Sequence, residues 1–290
     1  MSSFSDSGEW LRDYLDPATP LEEITYVAVD LETTGTTFHR DGILEIALIR
    51  YRPGQKQEVF ATLLNPGVPI PQASTRVHGI TEAMVQNAPT FRDIAPRVAA
   101  MTRNTVLVGH SITNLDLSFL NRELRRAGLP PRLNYTLDTF FLGRYLFRTH
   151  KRRGLQELAR MMGVTVEEGH RALPDARMTM KVWIRALDWF LAQGFRTLRD
   201  LMDRGLVDAG YTRRGRQMLE IIRRYRFLHI VYESYVSGRT ERVVEPLAVR
   251  GDRLDAYCHL REDFRSFHLR RIRRIRPLEA RDQEIPIPRD

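Results

Sequence analysis

The residues of this chain best suited to chemistry are acidic. Asp30 and Glu32 stand two apart in Asp30-Leu-Glu-Thr-Thr-Gly35, at the end of the apolar run Thr25-Tyr-Val-Ala-Val-Asp-Leu31. Side chains two apart on a strand point the same way, so both carboxylates fall on one face. Held that close, they repel each other and need a cation between them. Asp116 follows Gly109-His-Ser-Ile-Thr-Asn-Leu and falls in the first turn of an apolar-faced helix, with Asn114 as the expected N-cap. Asp175 ends Gly169-His-Arg-Ala-Leu-Pro-Asp175, where Pro174 suits the first helical position. His170 precedes it by five residues, on the connecting loop. No Cys/His cluster competes, because Cys258 is the only cysteine. It forms no intramolecular disulfide and no thiolate metal site. Carboxylates with water suit hard cations, Mg²⁺ or Mn²⁺, over zinc.

These side chains need a scaffold, and the pattern predicts one. Residues 25–31, 43–50 and 58–64 read as strands, the last two forming a hairpin over Arg52-Pro-Gly-Gln55. Residues 65–71 read as a loop, 91–101 as a helix and 105–109 as a short strand. Helices are expected at 114–127, 138–147, 155–162 and 174–192. Beyond Gly210 a basic helix carries Met218, Ile221, Ile222 and Tyr225 on one face. Strand-like segments follow at 228–235, 243–249, 254–260 and 267–272, a spacing that suggests a small barrel.

The chain has 290 residues, 42% hydrophobic and 28% charged, which excludes a disordered or fibrous protein. No apolar run is long enough to cross a membrane, and no secretory signal opens the sequence, so a cytoplasmic, nucleoid-associated protein with no membrane partner is expected. Arginine outnumbers lysine 42 to 3 within a net charge of +9. Residues 1–194 carry +2 of that and residues 195–290 carry +7. A planar arginine fork suits phosphate, so the C-terminal third is expected to meet a polyanion.

Taken together and in this order, the three acidic segments resemble the DEDDh family of 3′-5′ exonucleases. Ser74-Thr-Arg-Val-His-Gly-Ile-Thr81 and Leu137-Asp-Thr139 look like further family segments. One departure is an extra residue between His110 and Asp116 relative to the commonest family spacing. The resemblance implies an α/β ribonuclease-H-like fold, a mixed sheet flanked by helices, and hydrolysis of phosphodiesters from a 3′ end. It implies two divalent cations, Mg²⁺ or Mn²⁺, held by Asp30, Glu32, Asp116 and Asp175, with Asp30 bridging both. His170 would be the general base on the attacking water, its ordinary pKa of about 6.5 suiting that step. Thr33, Thr34 and Gly35 are expected to approach the terminal nucleotide through backbone groups. His78 and His110 are expected near the scissile end.

The segments Arg242-Val-Val-Glu-Pro-Leu247 and Ala256-Tyr-Cys258, with Arg265-Ser-Phe-His-Leu-Arg-Arg-Ile272, look like a WYL domain. The signature tripeptide is replaced by Asp252-Arg253-Leu254. The resemblance implies a small SH3/Sm-like β-barrel that binds nucleic acid or a regulatory ligand, with Tyr257, His259, Arg261, Arg265, His268 and Arg270 as surface candidates. The expected organisation is a lead-in (1–20), an exonuclease domain (21–194), a linker (195–215), a WYL-like domain (216–280) and a tail (281–290). The expected partner is DNA with single-stranded 3′ ends. RNA, a second copy of the chain, and repair or replication proteins are kept as further partners. Two rival functions stand beside DNA trimming: maturation of RNA 3′ ends, and a nucleic-acid- or effector-binding regulator with an inactive exonuclease fold.

Overall fold

The computed structural model describes residues 15–150, 154–167, 170–235 and 238–278. The lead-in up to residue 14 and the tail 281–290 lie outside the described residues. The chain divides into two compact units, one of which is Leu15–Gly210. Its first three strands, β1 (Tyr26–Thr33), β2 (Ile43–Tyr51) and β3 (Glu58–Leu63), pair antiparallel. The hairpin turn closes as expected, with the Gln55 N–H donating to the Arg52 carbonyl at 3.0 Å. Two short helices follow that the periodicity did not predict, α1 (Gln72–His78) and α2 (Glu82–Val85). Each is too brief to display a 3.6-residue pattern. Helix α3 (Phe91–Thr102) begins with a Thr90/Asp93 capping box.

Strand β4 (Val106–Gly109) then pairs parallel with β1, and β5 (Thr136–Asp138) parallel with β4. The sheet order is β3-β2-β1-β4-β5, a mixed sheet of ribonuclease-H-like architecture. Helix α4 (Asp116–Arg126) joins β4 to β5, and α5 (Thr139–Leu146) and α6 (Leu155–Met161) lead to the long α7 (Ala172–Ala192). Helix α7 packs on β1, β2 and β4, and the rings of Tyr26 and Trp183 lie 5.0 Å apart at that contact.

Two helix starts differ from expectation. Helix α4 begins at Asp116 with Leu115 in the N-cap place, while the Asn114 N–H donates to the Ser111 carbonyl in a tight turn. Helix α7 begins at Ala172, two residues before Pro174. Proline is tolerated there because the first-turn N–H groups have no partner in the helix.

The expected linker 195–215 is corrected over most of its length. Residues 198–203 form α8 (Leu198–Asp203), Leu198 and Leu201 are fully buried in the core of the first unit, and Val207 bridges to Leu137. The Thr197/Asp200 capping box starts that helix. The expected lead-in also joins in, with a bridge between Pro20 and Thr197.

The second unit opens with α9 (Arg213–Ile222), which buries Met218, Leu219 and Ile222. Five strands follow: β6 (Phe227–Ser234), β7 (Gly238–Arg250), β8 (Arg253–Cys258), β9 (Asp263–His268) and β10 (Ile272–Leu278). Four were expected. The segment 267–272 is divided by a 3-10 turn at Leu269–Arg271, so one predicted strand becomes parts of two. All neighbours pair antiparallel in the order β10-β6-β7-β8-β9. Where a small barrel was expected, the described residues form this one five-stranded antiparallel sheet, whose end strands β10 and β9 do not pair with each other.

The reassignment of 195–210 is testable. Leu198→Ala removes a fully buried side chain and should cost about 2–5 kcal/mol in urea unfolding. A true linker residue would move stability by less than about 0.5 kcal/mol.

Candidate active site

Strand alternation delivers the acidic pair. Tyr26 and Ala28 of β1 belong to the core shared with α7, so Asp30 and Glu32, at the same parity, fall on the α7 side. The β1–β4 ladder covers Tyr26 to Ala28 only. Beyond it, the carboxyl end of β1 opens beside the carboxyl ends of β4 and β5, where ligands enter open α/β sheets. Asp175 arrives from the first turn of α7. Carboxylate oxygens of Asp30, Glu32 and Asp175 all lie within 4.8 Å of one another.

Asp116 and His170 are not in that close group. Asp116 nevertheless acts on it: of the neighbouring charges that hold the Asp30 carboxyl well above its usual range, Asp116 contributes most, after burial itself. Burial and the charge of Asp175 push Glu32 to about 7. Burial, with Asp138 and Glu32 adding, pushes Asp116 to about 8. Asp175 is raised by burial, partly offset by the His170 N–H that its Oδ2 accepts at 3.0 Å. His170 is exposed, in the left-handed backbone region at φ 65°.

The nucleotide-contact candidates divide. Thr33 Oγ1 donates to the Gly35 carbonyl at 2.7 Å, and Thr34 Oγ1 accepts from the Gly42 N–H at 2.9 Å, closing the loop that follows β1. A side chain on Gly35 would collide with the Asp41 carboxylate, which accepts from the Thr37 N–H. His78 is buried, its Nδ1 accepting from the Ile80 N–H at 3.0 Å, so it pins the end of α1. His110 Nδ1 lies 2.9 Å from Thr139 Oγ1, and burial lowers its pKa to about 4.

Three residues were missed. Asp138 ends β5, nearly fully buried, its Oδ1 accepting from Ser111 and Phe140 N–H groups at 2.9 Å. Burial raises it to about 6. Glu45 lies opposite Glu32 across the β1–β2 ladder and is gripped by Arg171. The signal for Glu45 was a lone acid inside the apolar strand Ile43-Leu-Glu-Ile-Ala-Leu-Ile49.

In the second unit Tyr257 packs edge-on against Phe264 and His259, and His259 Nε2 lies 2.9 Å from Glu245 Oε1. Arg261 and Arg265 are exposed, and Arg270 Nε is 2.9 Å from Asp252 Oδ2. On β9, Arg265 has the opposite parity to His268, so the sheet assigns these candidates to different faces.

The donor set fits hard divalent cations: three convergent carboxylates, without thiolate or imidazole, whose mutual repulsion Arg171 and the His170 N–H relieve only in part. Among the described residues no helix is long and apolar enough to cross a membrane.

A family pattern described as Exonuclease matches residues 27–183, and one described as WYL domain matches residues 216–277. A DNA polymerase III subunit epsilon-like protein of Rhodobacter capsulatus is 40% identical over 184 residues, covering 62% of this chain and 26% of that protein. The DNA polymerase III subunit epsilon of Aquifex aeolicus is 32% identical over 168 residues, covering 57% of this chain and 83% of that protein. The chain thus spans about a quarter of the first relative and most of the second. A solved structure of E. coli exonuclease I with a dA16 oligonucleotide superposes at a TM-score of 0.54 with 17% identity, covering 81% of this chain and 55% of that one, which bears on fold alone.

The raised pKa values set a sign. Cations need ionised carboxylates, and Glu32 and Asp116 reach half-ionisation only at about 7 and about 8. Mn²⁺ affinity should therefore climb steeply between about pH 6 and about pH 8, and binding should release protons, read by calorimetry in two buffers. Without cation, stability should fall as pH rises from about 4, the unfolded carboxyl range, to about 8, and level off above, since these acids are weaker folded than unfolded. An affinity indifferent to pH would contradict the assignment.

Proposed function

We propose, from the premise that this chain belongs to the exonuclease family and carries a WYL domain behind it, that it removes nucleotides from 3′ ends of single-stranded or frayed DNA by metal-dependent hydrolysis. The observation that carries this reading is the convergence of Asp30, Glu32 and Asp175 within 4.8 Å. DNA is favoured over RNA because the relatives are named for DNA polymerase III.

Asp30, Glu32 and Asp175 would hold one cation, and Asp116, with Asp30, would support a second. Such ions, when bound, lower the pKa of water and neutralise charge on the attacked phosphate. The chain's own groups do the rest. His170 takes the proton from the attacking water; it is exposed to receive solvent, and its own backbone N–H is tied to Asp175 Oδ2. The backbone of Thr33 to Gly35 would approach the terminal nucleotide, and glycine is needed at 35 because the Asp41 carboxylate already occupies the place of a side chain. The product is a 5′-mononucleotide, and end trimming during DNA repair is the setting this chemistry suits.

The second unit is the nucleic-acid-holding part. It lies within the span 195–290 that carries +7, and arginines beside aromatic rings, as Arg271 is beside Tyr232, can track phosphate while bases stack. Deleting the chain from Tyr211 onward should weaken single-strand affinity and flatten its salt dependence. An unchanged affinity and slope would remove this role.

Digestion of 5′-labelled DNA and RNA, with and without Mn²⁺ or Mg²⁺, tests the whole reading. DNA shortened stepwise from its 3′ end, only with metal, is the expected result. His170→Ala should lower turnover about 10²–10⁴-fold while leaving Mn²⁺ affinity in place. Asp30→Ala/Glu32→Ala should abolish both, and full activity in that variant would overturn the site. Preference for matched RNA would transfer the reading to RNA ends.

A further inference from the structure

Glu45 is costly where it stands. Its side chain is 8% exposed and lies in register with Glu32, adding negative charge beside carboxylates that already repel. Burying such a charge is not, by itself, a source of stability, since desolvation offsets much of the pairing energy. Yet three donors converge on it. Arg171 gives Nε to Oε2 at 2.9 Å and Nη2 to Oε1 at 2.8 Å, and the Ala172 N–H gives a third bond to Oε2 at 2.9 Å. The two-pronged guanidinium contact fixes orientation as well as distance.

All three bonds end on the residues that immediately follow His170. That histidine is in the left-handed region, φ 65°, a conformation that persists in a non-glycine residue only when its surroundings over-determine it. The surroundings do so from both sides. The His170 N–H donates to Asp175 Oδ2 at 3.0 Å, and the Asp175 N–H donates back to the Arg171 carbonyl at 3.2 Å. Glu45 then anchors Arg171 and Ala172 to β2, the strand paired with the one bearing Asp30 and Glu32. The histidine loop is thereby tied to the same sheet that carries the acids.

We propose that Glu45, acting through Arg171 and the Ala172 N–H, is a positioning residue that holds the His170 loop in register with the Asp30–Glu32–Asp175 cluster. The inference rests on the reading of His170 as the base. A mere staple between strand and helix would lower stability and would affect turnover without regard to His170. A positioning residue loses its effect once His170 is gone.

Glu45→Gln is the test variant. It keeps the shape, and Arg171, whose side chain is 40% exposed, can turn to water once the carboxylate is gone. Arg171→Lys is the second variant, keeping the charge but not the fork. Each is to be compared in denaturant unfolding, in Mn²⁺ affinity, and in kcat and KM on single-stranded DNA. The expected result is kcat lower by about 10²-fold, KM changed by less than roughly threefold, and Glu45→Gln/His170→Ala no slower than His170→Ala alone. Additive losses in the double variant, or an unchanged kcat in both single variants, would overturn the proposal. A readout free of activity accompanies it: bound Mn²⁺ should broaden the His170 ring signal in NMR of histidine-labelled protein, and less so in Glu45→Gln. Equal broadening would also overturn it. Should the unaltered chain hydrolyse no nucleic acid, the nuclease reading fails, and the broadening comparison still decides the role of Glu45.

Discussion

Like charges in a confined, poorly solvated place dominate this molecule. Two carboxylates about 5 Å apart repel by about 3 kcal/mol at an effective dielectric of about 20. The first unit gathers three within 4.8 Å and brings the charges of Asp116 and Glu45 to bear on them. The protein relieves part of this strain itself. Arg171 sits beside Glu45 and Glu32, and the His170 N–H serves Asp175. What remains raises the carboxyls of Asp30, Glu32 and Asp175 above their ordinary range, so a binding cation competes there with protons. A cluster strained in that way suits a hard divalent cation, and ions of that kind lower the pKa of bound water.

The fold that supports this arrangement is economical. Period-two alternation along β1 turns Tyr26 and Ala28 into core and Asp30 and Glu32 into site on the same face. Shortness of the β1–β4 ladder opens the end of β1. Helix α7 buries its apolar stripe on that sheet, so Asp175 is carried to the pair by the packing of Trp183 against Tyr26. Core and site therefore use one set of contacts, and the segment 195–210 belongs to the same core.

Much of this could be read from the residues, for local reasons. Asp30 and Glu32 end an unmistakable apolar strand, and Asp175 follows a proline of the kind that fits a helix's first turn. The parts that escaped depend on distant partners. Glu45 looks like an interruption in an apolar strand, and only Arg171, 126 residues away, explains it. Asp138 becomes buried through the turn after β4, where Ser111 takes φ 63° and its N–H donates to the Asp138 carboxylate. Helices α1 and α8 carry too few turns to show a period. In the second unit, β7 runs 13 residues with the exposed Arg239 and Glu241 near its start, which hid its length, and a bulge between Pro246 and Ala248 broke its alternation.

Diffraction from crystals soaked in Mn²⁺ with a single-stranded oligonucleotide bearing an unhydrolysable 3′ linkage tests the central claim most directly. The account predicts anomalous density touching Asp30, Glu32 and Asp175, with the terminal phosphate on the same ions. Density elsewhere, or none at these carboxylates with metal in excess, would contradict it.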